Sequence, residues 1–277
     1  MTHRSFLARV RHILPELHPA ERRLGELVRN FPGELASYSA SELAALAGVS
    51  NATVSRFVKR LGYQSYEDAR RDAREESSSG SRLYLQHAGD EKSTGQSAFL
   101  ETDIRNIRET IDDIGTEEIE GLAHAILAAR RVWCIGFRAS GGLANYLHWQ
   151  LLQAVDDAVC VPGGGQTMGE HVARMKPEDV IILFGLRRRV ATLQDLMRAI
   201  QGTGANIAYV TDEGVPRNKE VGWHFRCATR SSGPLFSHVG VMALLNIIAN
   251  RTIEFAAESG GQRLKEIETY NDLLREL

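Results

Sequence analysis

Leu24, Leu27, Val28 and Phe31 fall at i, i+3, i+4 and i+7, and the same spacing returns at Val54, Phe57, Val58 and Leu61. Each set draws one apolar stripe along a helix. Pro19 suits the first position of the earlier helix, and Pro32-Gly33 stops it. Ser39 with Glu42 three residues on forms a capping box, opening a helix that buries Leu43, Leu46 and Ala47. Gly48 ends that helix, because glycine takes the left-handed conformation without a Cβ penalty. Ser50 is placed to cap the next helix and Gly62 to end it. Beyond residue 98 the pattern changes. Near-continuous apolar runs at 130–137, 158–162, 179–185, 206–211 and 222–229 are bounded by turn residues, with helical segments between most of them. Such strands predict a parallel sheet covered on both faces. The stretch between, residues 77–97, is rich in Ser and Gly and reads as a linker. The expected organisation is therefore an α/β chain in three parts: an all-α unit over 1–76, a linker over 77–97, and an α/β/α sandwich with a mainly parallel five-stranded sheet over 98–277. At the end, Leu264, Ile267, Tyr270 and Leu274 recur at helical spacing, on a helix that either covers the core or meets a partner.

Charge adds an asymmetry to this picture. Residues 1–75 carry 12 Lys/Arg against 9 Asp/Glu, whereas the remainder carries 21 against 26. The basic surplus sits where a polyanion would be met if only the N-terminal unit met one. Three widely spaced cysteines, Cys134, Cys160 and Cys227, lie in apolar runs and read as small buried hydrophobes rather than as metal or disulfide chemistry. Arg4, Arg9 and Arg11 interrupt any leader-like apolar stretch, and no uninterrupted run of about 18 apolar residues occurs. The expectation is a chain of the reducing cytoplasm with no membrane span, metal or cofactor.

Two short helices joined by a Gly-containing turn make a helix-turn-helix. In its DNA-binding forms the second helix enters the major groove with its N-terminal residues at the base edges. With Val54, Phe57, Val58 and Leu61 inward, the candidates for double-stranded DNA are Ser50, Asn51, Thr53, Ser55, Arg56, Lys59 and Arg60. Asn51, Thr53 and Ser55 carry hydrogen-bonding groups, and Arg56 suits a guanine edge. Lys59, Arg60, Arg70, Arg71 and Arg74 suit phosphates. An ordinary helical hairpin with a solvated basic face has the same spacing. The segment "LAALAGVSNATVSRFVKRLGYQSYEDAR" also resembles the N-terminal domain of RpiR/MurR-type transcriptional regulators, in its small residues before the turn, in "VS.ATVSRF.K.LG" and in the trailing "YQSYEDAR".

That resemblance implies a sugar-isomerase-type (SIS) domain next, and residues 98–255 resemble one. "RVWCIGFRASGGLANYLHWQLLQA" looks like its first strand, turn and helix. Arg138, Ser140 and Gly141 then stand at a helix N-terminus at the carboxyl end of a strand, a place suited to an anion. SIS domains usually follow the third strand with a Ser-x-Ser-Gly-x-Thr segment that wraps a phosphate. Here "DVIILFGLRRRVATLQDLM" puts Gly185 and Arg187 at the serines, Arg188 at the glycine and Val190 at the threonine. The hydroxyl cradle is gone, and Arg187, Arg188 and Arg189 replace it. Guanidinium forks bind phosphate or carboxylate bidentately. A subunit contact or a solvated charge run are the other readings of the three arginines. Gln166, Thr167, Glu170 and His171, and Ser237 and His238 at the start of a long apolar helix, are weaker candidates near the same end of the sheet. Ser237 reads more readily as a cap than as a ligand.

The function these features imply is a transcriptional regulator, not an enzyme. Its DNA-binding unit addresses an operator, and its SIS domain binds a small anionic effector and pairs the chain as a homodimer or homotetramer. Two alternatives stand beside it: a phosphosugar isomerase with a helical appendage, and a DNA-binding scaffold whose SIS domain only dimerises.

Overall fold

A computed structural model describes residues 6–30, 38–78, 95–187, 189–233 and 235–276. The chain forms two compact units, one of the N-terminal helices and one of the chain from Gln96 onward.

In the first unit, α1 (Phe6–Ile13), α2 (Pro19–Asn30), α3 (Ala40–Ala47), α4 (Asn51–Arg60) and α5 (Tyr66–Ser78) enclose one core. Phe6, Leu24, Val28, Leu43, Val54, Phe57, Val58 and Leu61 fill it, and the Tyr66 hydroxyl donates to the Tyr38 carbonyl beneath. The apolar stripes of the sequence are thus the buried faces. Phe31 and the Pro32-Gly33 stop lie outside the described residues.

The second unit opens with α6 (Gln96–Asp112) and α7 (Thr116–Ala128). There follow β1 (Val132–Ile135), α8 (Ala139–Leu151), β2 (Ala158–Val161), α9 (Gly169–Val172), β3 (Val180–Gly185), α10 (Leu193–Gln201), β4 (Asn206–Asp212), β5 (Trp223–Cys227) and α11 (Val239–Leu274). The five strands stand in the order β2-β1-β3-β4-β5, and every pairing is parallel. Strand periodicity divides their side chains between two faces. Val132, Cys134, Val180, Ile182, Phe184, Ala208 and Val210 join Leu122, Leu147, Leu244 and Ile248 of the helices in one core. Trp133, Ile135, Ile181, Leu183 and Ile207, on the other face, are buried as well. That double burial is why the strands read as continuous apolar runs. Asp179, just before β3, is fully buried and accepts from Arg130, the Trp133 indole N–H and the Lys176 amide, which fixes how β3 enters the sheet.

The long apolar helix and the terminal helix both stand as the sequence implied: α11 is two helices that meet at a kink, where Ala257 has φ 47° and ψ −125°. Its stretch Val239–Ala257 is long and apolar enough to cross a membrane, with a mean hydropathy of 1.3, although the sequence holds no uninterrupted apolar run. Val241, Leu244, Leu245, Ile248 and Ala249 of that stretch are buried in the core of this unit.

Candidate nucleic-acid interface and anion site

The turn between α3 and α4 is built from local hydrogen bonds. The Glu42 amide donates to Ser39 Oγ at 3.3 Å and the Ser39 amide to Glu42 Oε2 at 2.8 Å, so the capping box is complete. Gly48 is left-handed at φ 60°, ψ 43°, and its amide bonds back into the last turn of α3. Ser50 caps α4, its Oγ accepting from the Thr53 amide at 3.2 Å. With Val54, Phe57 and Val58 buried, α4 presents Asn51, Ala52, Ser55, Arg56, Lys59 and Arg60 outward.

Thr53 departs from the expectation. It is 4% exposed, its hydroxyl 3.0 Å from Ser50 Oγ and accepting from Arg56 Nη2 at 3.3 Å. A residue at the third position of a capped helix turns back toward the cap, so Thr53 supports Arg56 instead of facing outward. Asn51 Nδ2 donates to Ser41 Oγ at 3.2 Å, linking the starts of α3 and α4. Arg60 is also diverted, with Nη1 2.7 Å from Glu21 Oε2 on α2. Arg70 and Arg71 pair with Glu67 and Asp68 one turn earlier on α5, while the Arg74 side chain lies outside the description. Ala52, on the exposed face between Asn51 and Ser55, was not singled out in the sequence because it carries no polar group.

At the carboxyl ends of β1, β3 and β4 lies the second site. Arg138 precedes α8 with φ 55° and ψ −126° and is exposed. Ser140 is buried, and the Ser140 and Gly141 amides donate to the carbonyls of Phe137 and Arg138 at 3.0 Å each. Those two donors, expected to point at a ligand, are thus used inside the turn. At Gly185 any Cβ would collide with the Tyr209 ring, so the first serine of the usual phosphate loop has no room here. Arg187 and Arg189 converge on one carboxylate. Arg187 Nε donates to Asp212 Oδ1 at 2.9 Å, and Arg189 Nη2 pairs with Asp212 Oδ2. Asp212 is fully buried and Arg187 nearly so. Arg189 Nε donates to the Gly185 carbonyl at 2.7 Å, and its Nη1 is buried with no acceptor. Two guanidinium groups thus share one carboxylate. The Arg187 guanidinium carbon stands 5.5 Å from the centre of the Phe236 ring. Arg188 lies outside the described residues. His238, at the N-cap position of α11, has its pKa lowered by burial, opposed by the Asp212 charge. Ser237 donates to Asp103 and accepts weakly from the Val239 amide.

The sequence missed Asp212 and Glu21. Each lies 20 or more residues from the arginine it holds, with only tertiary structure joining them. The signal available for Asp212 was a carboxylate at the end of an apolar strand, an unusual place for an unpaired charge. Among the described residues, Gln166 accepts from the Gly163 amide and lies 3.1 Å from His171, and Thr167 donates to Glu170, so that group closes on itself.

Comparison with known proteins gives two domain matches. Residues 5–80 match the helix-turn-helix domain of the rpiR family, and residues 125–215 match the SIS domain. The bifunctional protein glk of Burkholderia orbicola is 24% identical over 213 residues, 76% of this chain, and the match spans 33% of that relative's length. The HTH-type transcriptional regulator HexR of Pseudomonas aeruginosa is 22% identical over 222 residues, covering 77% of this chain and 75% of its own. The structure of the Vibrio vulnificus NanR protein complexed with ManNAc-6P shares the fold. Its TM-score is 0.67 at 17% identity, over 98% of this chain and 99% of that one.

Proposed function

The chain is an RpiR-type regulator, an rpiR-family helix-turn-helix followed by a SIS domain, and we propose that it binds an operator through α4 and senses a small anion through the SIS unit. We place the first unit up to the end of α5 at Ser78 and the second from the start of α6 at Gln96, slightly wider than the bounds of 1–76 and 98–277 expected from the sequence, in a cytoplasmic protein that pairs with its own copy. The observation that carries the DNA-binding half is the geometry of α4. Its cap and left-handed Gly48 fix the turn, and its exposed side holds Asn51, Ser55, Arg56 and Lys59 over a buried side of Val54, Phe57 and Val58 with Thr53 at the cap. Arg56, steadied by Thr53, is placed to read a base edge. A bidentate contact of that kind discriminates by roughly 1–3 kcal/mol. Arg56→Ala should lower affinity for the selected operator far more than for random duplex. Equal losses on both would make Arg56 a phosphate contact. The selection itself is the primary test: at moderate salt the chain should prefer duplexes from beside its own gene over random sequence.

The sensing half rests on the cluster of Arg187 and Arg189 at Asp212, where the buried, unpartnered Arg189 Nη1 favours an anion. The relative NanR is described in complex with the sugar phosphate ManNAc-6P. With the hydroxyl cradle replaced by arginines, the ligand class for this chain is a sugar phosphate or a sugar acid. A thermal-shift screen of both classes is expected to give a rise that Arg187→Ala with Arg189→Ala abolishes while operator binding persists. One observation favours a second reading, a paired scaffold without a ligand: Asp212 already occupies both guanidinium groups. No shift from any anion, with operator binding intact, would select it. Neither reading assigns catalysis to the SIS unit, and phosphosugar isomerisation is expected to show no turnover.

A further inference from the structure

Lys59 and Arg60 are neighbours in sequence, but about 100° of helix rotation separates them, and they leave α4 in different directions. The Lys59 side chain is exposed. Arg60 reaches across to the first turn of α2, where its Nη1 meets Glu21 Oε2 at 2.7 Å. The Glu21 side chain is only 10% exposed, against 52% for Arg60. A carboxylate so far from water is costly to bury without a cation beside it, and Arg60 supplies one. If Arg60 swung out to a DNA phosphate, it would gain an exposed, salt-screened contact and leave Glu21 uncompensated. The exchange runs uphill.

We infer that Glu21 and Arg60 form a strut that seats the recognition helix on α2, and that Arg60 is thereby withdrawn from the DNA backbone. Both are positioning residues, and of the two basic side chains ending α4 only Lys59 neutralises a phosphate. The inference rests on the DNA-binding reading above. It makes a count, because each neutralised phosphate adds about 0.9 to the slope of log K against log salt on duplex DNA.

The test is a salt titration of the full chain on random-sequence duplex, over about 50 to 200 mM salt, with the slope as readout. Lys59→Gln should flatten the slope by about 0.9, and Arg60→Gln should leave it unchanged. Glu21→Gln, which frees Arg60, should steepen it by about 0.9. Arg60→Lys retains the pair and should match the parent. The double variant Glu21→Gln, Arg60→Gln is neutral on both sides, so it guards against a stranded buried charge and should also keep the parent slope. A slope flattened by Arg60→Gln as much as by Lys59→Gln overturns the strut, and so does Glu21→Gln without steepening. A parent that does not bind duplex at all overturns the DNA-binding reading as well, so the two failures are distinct.

Discussion

Arg138 holds a backbone conformation that glycine takes freely and that other residues hold at a cost of about 1–3 kcal/mol. An exposed arginine maintained against that cost at the carboxyl end of β1, beside the helix N-terminus proposed to meet an anion, trades stability for charge. Arg138→Gly is therefore expected to stabilise the chain by about 1 kcal/mol and to raise the melting temperature by about 2–4 °C. The same variant should weaken the thermal shift given by inorganic phosphate. A melting temperature that does not rise would show that no strain is stored there. Asp212 is the opposite case, a fully buried carboxylate facing two guanidinium groups. Asp212→Ala strands both cations and should cost about 3–5 kcal/mol in urea unfolding. His224 supplies a pH dependence. Its Nδ1 accepts the Asn218 amide at 2.8 Å, its Nε2 lies 2.9 Å from Thr211 Oγ1, and burial, then Arg226 and Arg217, push its pKa down to about 4. The unfolded chain therefore binds more protons than the folded one between about pH 6.5 and 4, and stability falls as pH drops through that window. His224→Gln should flatten melting temperature against pH there. The sequence made the arginines at the strand end legible as a charge run. It did not show that they are held, because the holder arrives on the next strand, and only the parallel β3–β4 pairing brings the two together.

At the scale of elements, what was legible is what is local. The Ser39–Glu42 box, the Gly48 turn and the Ser50 cap involve groups five residues apart or fewer, and all stand in the structure as the sequence implied. The five strands were legible because burial on both faces removes polar alternation and leaves unbroken apolar runs. Thr53 was misplaced because a period-3.6 reading sorts residues by angle and ignores the pull of the cap on the first turn. Ser50→Ala removes the acceptor of the Thr53 amide and the hydroxyl partner of Thr53 Oγ1, and should cost the N-terminal unit about 1 kcal/mol in denaturant melts. The division of α11 was legible too: its two helices meet at Ala257, between the long apolar helix and the terminal one that the sequence sets apart. Past the kink, Arg263 Nε donates to the Leu152 carbonyl, a tertiary contact that the sequence could not show.

For the whole molecule, the asymmetry of charge sets the division of labour: the basic surplus lies in the first 75 residues and the acidic one in the rest. An effector of the proposed kind would act on DNA only by its difference in affinity between arrangements of paired chains, and a tenfold change in occupancy would need about 1.4 kcal/mol of it. Pairing itself has a geometric signature on DNA. Two recognition helices related by a two-fold axis address half-sites about one helical turn apart, or a multiple of it. Inserting about 5 base pairs between half-sites turns one of them to the far side of the duplex. The full chain should then fall to the affinity of a single half-site, whereas a fragment ending at Ser78 should be indifferent to the insertion and to any anion. Quantitative footprinting on the two operators reads both results. A full chain as indifferent as the fragment would mean that each recognition helix binds alone, and that the SIS unit neither pairs the chains nor conveys an effector to the DNA.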